Sequence, residues 1–155
     1  MKYKFAEIFC AVLAVLFIVF SLSLNAETDK TAAEIGNEII EAIDASGLKE
    51  RDSQFFKKTF NRAADEFDGI EYYSSDDVMN VSEMLVIKLK DSSDTSEITE
   101  IIEKYVNARY DIFAAYAPEQ GEMLKNHIFK KKGNVIFMYI GKDADTALDA
   151  FNGAL

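Results

Sequence analysis

The stretch H-I-F-K-K-K-G-N-V-I-F-M-Y-I, residues 127–140, decides the fold, because it has the pattern of two strands around a tight turn. Gly133 and Asn134 separate residues 127–132 from residues 135–140, and such a two-residue loop is typical of a β-hairpin. The second run is apolar throughout, whereas a surface strand alternates apolar and polar residues. We therefore expect an antiparallel hairpin whose second strand is central and covered on both faces.

Two more strands are predicted before this hairpin. Residues 83–90 place Leu85, Ile87 and Leu89 in alternation with two lysines, which is the pattern of a half-buried strand. Residues 70–74 form a shorter candidate. Apolar residues at helical spacing predict helices at 31–45, 53–67, 97–117, 118–125 and 143–151.

These elements predict a single α+β domain over residues 31–155. At 155 residues the chain has room for one sizeable core. The strands and the longer helices after residue 69 follow the order ββαββα, which favours a four-stranded, mainly antiparallel sheet packed with helices. Residues 27–30 are the only plausible tether ahead of this domain.

Residues 1–26 have the pattern of a signal peptide or a membrane anchor. Lys2 and Lys4 precede an apolar run, residues 8–24, and Ala26 is a small residue at a possible cleavage site. The run is also just long enough for a short membrane span, so cleavage and retention both stay open. Either outcome predicts an extracytoplasmic protein, which is secreted or held at the membrane by its N-terminal segment.

Composition excludes several classes of function. The net charge of -10 argues against nucleic acid as a partner, because phosphate binding needs clustered Lys and Arg. One Cys allows no intramolecular disulfide, and one Cys with one His cannot form a zinc site. There is no phosphate-binding glycine loop and no nucleophile elbow. We therefore expect no metal, no cofactor and no catalytic constellation of a familiar kind.

One residue of the long helix 97–117 is out of place. At about 100° per residue, Arg109 falls in the middle of an apolar arc. That arc consists of Ile98, Ile101, Ile102, Tyr105, Ile112, Phe113 and Tyr116. An unpaired buried charge is strongly unfavourable, so an arginine on a core face must reach water or meet a carboxylate.

Glu83 is the carboxylate with the right position. It shares the parity of Leu85, so its side chain is predicted to point toward the same core. We predict a largely buried Glu83–Arg109 ion pair, with the hydroxyl of Tyr116 or Tyr105 completing it. Three roles remain open for this pair: it attaches the helix to the sheet, it presents Arg109 to an anionic ligand, or it supplies a catalytic carboxylate.

The same region resembles a known bacterial family. The resemblance is carried by Ser82-Glu83, by Arg109 followed by F-A-A-Y-A-P-E-Q at residues 113–120, and by Lys132-Gly133-Asn134-Val135. The family is the one named domain of unknown function 4358, and the resemblance extends over about residues 31–153. It implies a small extracytoplasmic protein and brings no established activity. Members often end their leader with a lipidated cysteine, whereas this chain has Asn25-Ala26, so the resemblance does not imply lipid anchoring here.

The sequence thus predicts a non-enzymatic binding or accessory module outside the cytoplasm. Its partner would be an unknown protein or a ligand of the cell envelope, and the membrane itself if the leader is not cleaved. One alternative is a small cell-surface hydrolase or transferase that uses Glu83, Arg109 and Tyr116 in a cleft. Another is a subunit of a membrane complex.

Overall fold

The computed structural model of the protein describes residues 9, 12–15, 27–91 and 95–155. Most of the predicted leader, residues 1–26, lies outside these ranges. Within them, no helix combines the length and the apolar character needed to cross a membrane.

The described residues form one antiparallel sheet of five strands. The central strand β3 (Glu83–Lys88) pairs with β2 (Gly69–Ser74) on one side and with β5 (Val135–Ile140) on the other. The edge strands are β1 (Lys49–Glu50) and β4 (Ile128–Lys132). β4 pairs with β5, and all six residues of β5 are buried, so the predicted hairpin with its doubly covered second strand is confirmed.

The prediction of four strands is wrong, because β1 adds a fifth at the edge. Lys49 pairs with Ser74 and Glu50 pairs with Tyr73. The ladder continues for one more bond, from the Arg51 N–H to the Tyr72 carbonyl at 2.7 Å. Two exposed charged residues carry no hydrophobic alternation, so the pattern that reveals a strand is missing at this edge.

Helices cover both faces of the sheet. On one face lie α1 (Ala32–Ala42) and α5 (Ala144–Ala154), and we call it the α1/α5 face. On the other, the α3 face, lie α2 (Ser53–Phe60), α3 (Ser96–Tyr116) and α4 (Pro118–Lys125). Each central strand therefore sends alternate side chains into two separate cores.

The two cores explain why β3 is not the half-buried strand that its sequence suggests. Leu85 and Ile87 enter the core of the α3 face, whereas Met84 and Val86 enter the core of the α1/α5 face. All four are fully buried. The lysine alternation begins only at Lys88, which is the last residue of the strand.

The predicted helix 53–67 is in fact interrupted after Phe60. Asn61 adopts a left-handed conformation, with φ of 53°, and this conformation ends α2. A 3₁₀-helix at Ala64–Glu66 follows, and it leads into β2. Phe56 and Phe60 still point into the core of the α3 face, so the predicted apolar side of this helix is correct.

The turn between β4 and β5 holds the segment that precedes α1. Gly133 has φ of 55°, which glycine adopts readily in such a turn. The side chain of Asn134 is buried, and its Oδ1 accepts a hydrogen bond from the Thr28 N–H at 3.1 Å. Residues 27–30, which the sequence suggests as a tether, therefore contact the folded domain.

Candidate functional site

A buried carboxylate lies at the end of the central strand. Glu83 is the first residue of β3, and its side chain is 0% exposed. It lies on the α3 face, because it shares the parity of Leu85 and Ile87. A fully buried glutamate requires hydrogen-bond donors around it, because burial removes its water.

Three side chains from two neighbouring elements supply those donors. Arg109 of α3 donates from Nη1 to Glu83 Oε2, and Tyr72 of β2 donates from its hydroxyl to Oε1. The Tyr105 hydroxyl of α3 lies 3.0 Å from each carboxylate oxygen. Arg109 Nη1 also donates to the Tyr105 oxygen at 3.1 Å, so the four side chains form one network. We call it the Glu83 network.

The network changes the proton affinity of its members. Burial raises the pKa of Glu83, and the Arg109 charge and the two tyrosine hydroxyls oppose this shift. Burial and then the Glu83 charge raise the pKa of Tyr72 and that of Tyr105 well above the usual tyrosine range. The two phenols therefore stay protonated and act as hydrogen-bond donors to the carboxylate.

The structure brings together Glu83 and Arg109, as predicted, but adds only one of the two tyrosines that the sequence suggested. The structure places Arg109 against Glu83, with Tyr105 beside them. Tyr116 is 54% exposed and packs its ring against Phe113, at 5.3 Å between centroids, so it is not part of the network. The buried stripe of α3 runs through Ile98, Ile102, Val106 and Phe113, and this stripe leaves Ile112 and Tyr116 at the surface.

Tyr72 is the network member that sequence reasoning missed. It pairs with Leu85 across the β2–β3 ladder, two residue pairs inside the Ser74–Glu83 pair, so its side chain lies on the same face as Glu83 and its hydroxyl reaches the carboxylate. The signal would have been the register of the β2–β3 pair. With that register, a tyrosine two residues from the partner of Glu83 lies within reach diagonally.

A groove opens beside the Glu83 network on the α3 face. Its volume is about 430 Å³, and α2, α3 and the loop 75–82 form its walls. Tyr72, Tyr105 and Arg109 contribute to its lining, and Glu83 does not. Its other wall residues include the apolar Phe55, Val78 and Phe113 and the polar Ser74, Asn80 and Ser82. We call it the Arg109 groove.

Arg109 is the member of the ion pair that faces this groove. Its side chain is 21% exposed, whereas that of Glu83 is fully enclosed. Nη1 carries the bonds to Glu83 and Tyr105, and among the described residues Nε and Nη2 meet no acceptor. The guanidinium also lies near two aromatic rings, 5.4 Å from the centroid of Tyr105 and 5.9 Å from that of Phe113.

The loop 75–82 forms one wall of the Arg109 groove, and each of its ends is hydrogen-bonded to a side chain from another part of the domain. At its start, Arg51 donates from Nε to Ser74 Oγ at 2.7 Å and from Nη2 to the Ser75 carbonyl at 2.8 Å. At its end, Gln120 Oε1 accepts from the Val81 N–H at 2.9 Å. Within the 109–120 motif, Arg109 therefore contacts the first residue of β3, Glu83, and Gln120 contacts Val81 just before that strand.

A second groove lies on the other side of this loop, with a volume of about 430 Å³. Asp77, Asn80 and Ser82 line both grooves, and Asp44 and Asp143 add acidic groups to the second. No group of three His, Cys, Asp or Glu side chains in the described ranges could hold a metal ion.

The comparisons with known proteins add a family and no activity. A family model described as domain of unknown function (DUF4358) matches residues 41–141, a shorter range than the resemblance seen in the sequence. The match runs from the end of α1 through β5 and includes the whole Glu83 network and Gln120. No curated protein and no solved structure matches the chain. The chain belongs to the DUF4358 family.

Proposed function

We propose that this protein is a non-enzymatic binding module that acts outside the cytoplasm and recognises an anionic group through Arg109. One observation carries this proposal: within the buried ion pair, the carboxylate is 0% exposed and the guanidinium is 21% exposed toward a groove. The cation can therefore contact a ligand while the carboxylate holds it in place. Guanidinium groups are well suited to bind planar or tetrahedral anions in this way.

The same asymmetry gives less support to the alternative of a hydrolase or transferase. A general base or nucleophile must come within hydrogen-bond reach of the reacting group, and Glu83 is enclosed by Arg109, Tyr72 and Tyr105. Tyr116, the third residue of that hypothesis, is exposed and packs on Phe113 instead of on the network. A positioning role for Glu83 fits this geometry better than a catalytic role.

The cellular location rests on residues 1–26 and on charge. The basic and apolar pattern of this segment supports export, with or without cleavage. The net charge of -10 favours partners that are not polyanions, such as a protein or a small ligand of the cell envelope. N-terminal sequencing of the secreted and membrane fractions would distinguish a cleaved leader, which starts the chain near Glu27, from a retained anchor.

The binding role can be tested by affinity capture from envelope extracts of the source organism. The full-length protein would be compared with Arg109→Lys, which keeps a positive charge beside Glu83 but removes the guanidinium. Arg62→Lys is the matched control, because Arg62 is also 21% exposed and also pairs with carboxylates, those of Glu66 and Glu97. Circular dichroism and thermal unfolding would establish that each variant is folded.

We expect a molecule that the wild-type protein and Arg62→Lys retain and that folded Arg109→Lys does not. An identical set of captured molecules for all three proteins would contradict a recognition role for the Arg109 groove. Turnover of an envelope component by the wild-type protein, abolished in Glu83→Gln, would instead favour the enzyme.

A further inference from the structure

Building on the proposed function, we propose that the Arg109 groove binds an apolar monocarboxylate, in particular the free terminal carboxylate of a peptide whose last side chain is apolar. The juxtaposition that points to this ligand is a guanidinium, with two donor nitrogens that meet no acceptor in the described part of the chain, beside a groove with aromatic and aliphatic walls.

The donors of Arg109 favour a planar anion. Nη1 is already engaged by Glu83 and Tyr105, and this leaves Nε and Nη2 as an adjacent pair of N–H groups. Such a pair can donate two parallel hydrogen bonds to the two oxygens of one carboxylate. The bond to Glu83 fixes the orientation of the guanidinium before any ligand arrives, so less conformational freedom is lost on binding.

The charge balance favours a single negative charge on the ligand. Glu83 compensates the charge of Arg109, and Asp77 on the groove wall is itself acidic. Lys58 adds one further positive charge to the lining. A monoanion is compatible with this balance, whereas a phosphate dianion would meet repulsion from the carboxylates.

The walls of the groove favour an apolar body next to that charge. Phe55 is 38% exposed and Val78 is 85% exposed, and both line the groove although large apolar side chains gain from burial. Phe113 extends this surface close to Arg109. An apolar side chain attached to the carboxylate would cover these groups while its charge meets the guanidinium.

The size and the polar wall fit the end of a peptide. A volume of about 430 Å³ lies at the small end of ligand sites, which are usually about 300–1,000 Å³. Asn80 and Ser82 add side-chain polar groups to the loop side of the groove, and such groups can bond a peptide backbone. We therefore expect the last two or three residues of a chain to be bound and the remainder to lie outside the groove.

The test is a titration of the ¹⁵N-labelled full-length protein in a non-ionic detergent, followed by NMR through its backbone amide signals and through the side-chain Nε–H signals of its arginines. The probes are acetyl-Gly-Leu with a free carboxylate, the same peptide as its amide, octanoate, and inorganic phosphate. The variants are Arg109→Lys, the charge-neutral double variant Glu83→Gln/Arg109→Gln, and Arg62→Lys as the control. The double variant leaves no unpaired buried charge, so it keeps the test informative if single changes unfold the protein.

We expect the free acid to shift the Arg109 Nε–H signal and to bind the wild-type protein and Arg62→Lys about tenfold or more tightly than the amide does. Both Arg109 variants should lose this preference for the acid. If octanoate binds as tightly as the peptide acid, the ligand class extends to apolar acids in general. If octanoate binds much more weakly than the peptide acid, the ligand class is restricted to peptides.

Two outcomes would overturn the inference and leave the binding module intact: equal binding of acid and amide, or binding of phosphate in preference to both. If no probe shifts the Arg109 signal, the carboxylate inference fails, and the capture experiment alone decides the proposed function. If that capture also fails to depend on Arg109, both proposals fail together.

Discussion

The two faces of the sheet are covered in the same way by helices but differ in what they bury. On the α1/α5 face, buried apolar side chains such as Ile35, Phe137 and Phe151 fill the core, and the rings of Phe137 and Phe151 stack at 4.6 Å. On the α3 face, the core also encloses the carboxylate of Glu83, and the arginine that neutralises it, Arg109, stays partly exposed.

Stability alone does not account for this difference. Apolar packing of the α1/α5 kind would stabilise either face, whereas a buried ion pair is often no better for stability than apolar residues of the same volume. The α3 face is also the one where a groove reaches the buried charge. A role in recognition would explain why this face carries a charge that folding alone does not require.

The largest expected effect comes from leaving Glu83 without its cation. Arg109→Ala should lower the free energy of unfolding by about 3–5 kcal/mol, because a buried carboxylate then lacks its counter-charge. Urea denaturation of the full-length protein measures this loss. Arg62→Ala is the comparison, because Arg62 is equally exposed but its partners Glu66 and Glu97 stay in contact with water, so a much smaller loss is expected. Equal losses would mean that water reaches Glu83 and that the two faces do not differ as described.

The tyrosine hydroxyls provide the next test. Tyr72→Phe should lower the free energy of unfolding by about 1.5–3 kcal/mol, the range for a hydrogen bond to a charged group, because Glu83 loses a donor that water cannot replace. Tyr116→Phe should change it by no more than about 0.5 kcal/mol, because Tyr116 is exposed. Denaturation curves of both variants separate the tyrosine that sequence reasoning missed from the one that it suggested. A larger loss in Tyr116→Phe than in Tyr72→Phe would contradict the hydrogen bond between Tyr72 and Glu83.

Alkaline pH should weaken the α3 face through the same tyrosines. Burial and the Glu83 charge raise the pKa of Tyr72 in the folded protein above the value of about 10 in the unfolded chain. Because the folded-state pKa is the higher one, the stability linked to this phenol is fully present below about pH 10 and is lost as the pH rises further. Urea midpoints at a series of pH values should decline less steeply above pH ~10 in Tyr72→Phe than in the wild-type protein.

The alkaline experiment has a control on the other face. Burial raises the pKa of Tyr139, which lies on the α1/α5 face, to about 12. If the alkaline decline of the urea midpoint persists in Tyr72→Phe and disappears in Tyr139→Phe, the pH sensitivity belongs to the α1/α5 face. That result would contradict the assignment of the sensitivity to the Glu83 network.

Sequence patterns were sufficient for those parts of the molecule whose structure follows from strand alternation or helical periodicity. The hairpin 127–140 follows from its turn and its apolar run, and the contact between Glu83 and Arg109 follows from two anomalies that share one core. Both arguments need only the alternation of a strand and the pitch of a helix.

Other parts depend on long-range packing, which no local pattern reports. β1 is too short to alternate, and β3 carries apolar residues of both parities because helices cover both faces. The position of Tyr72 beside Glu83 depends on the register of β2 against β3, which periodicity does not fix. The Arg109 groove depends on the path of the loop 75–82, and the bonds from Arg51 and Gln120 attach the two ends of this loop.

The smallest expected effect concerns two helical glycines of the layer on the α1/α5 face. If this face serves packing alone, the effect of a substitution there on the free energy of unfolding should depend on the space available for the new side chain. A Cβ on Gly153, in the last turn of α5, would meet nothing within 4 Å, so Gly153→Ala should raise the free energy of unfolding by up to about 0.5 kcal/mol through helix propensity. A Cβ on Gly36 of α1 would lie 2.9 Å from Glu71 Cβ and closer still to its Cγ, so Gly36→Ala should be destabilising despite its own gain in propensity. Thermal unfolding of both variants measures the difference, and equal stabilisation by the two would show that α1 is not seated on β2 as closely as the structure has it.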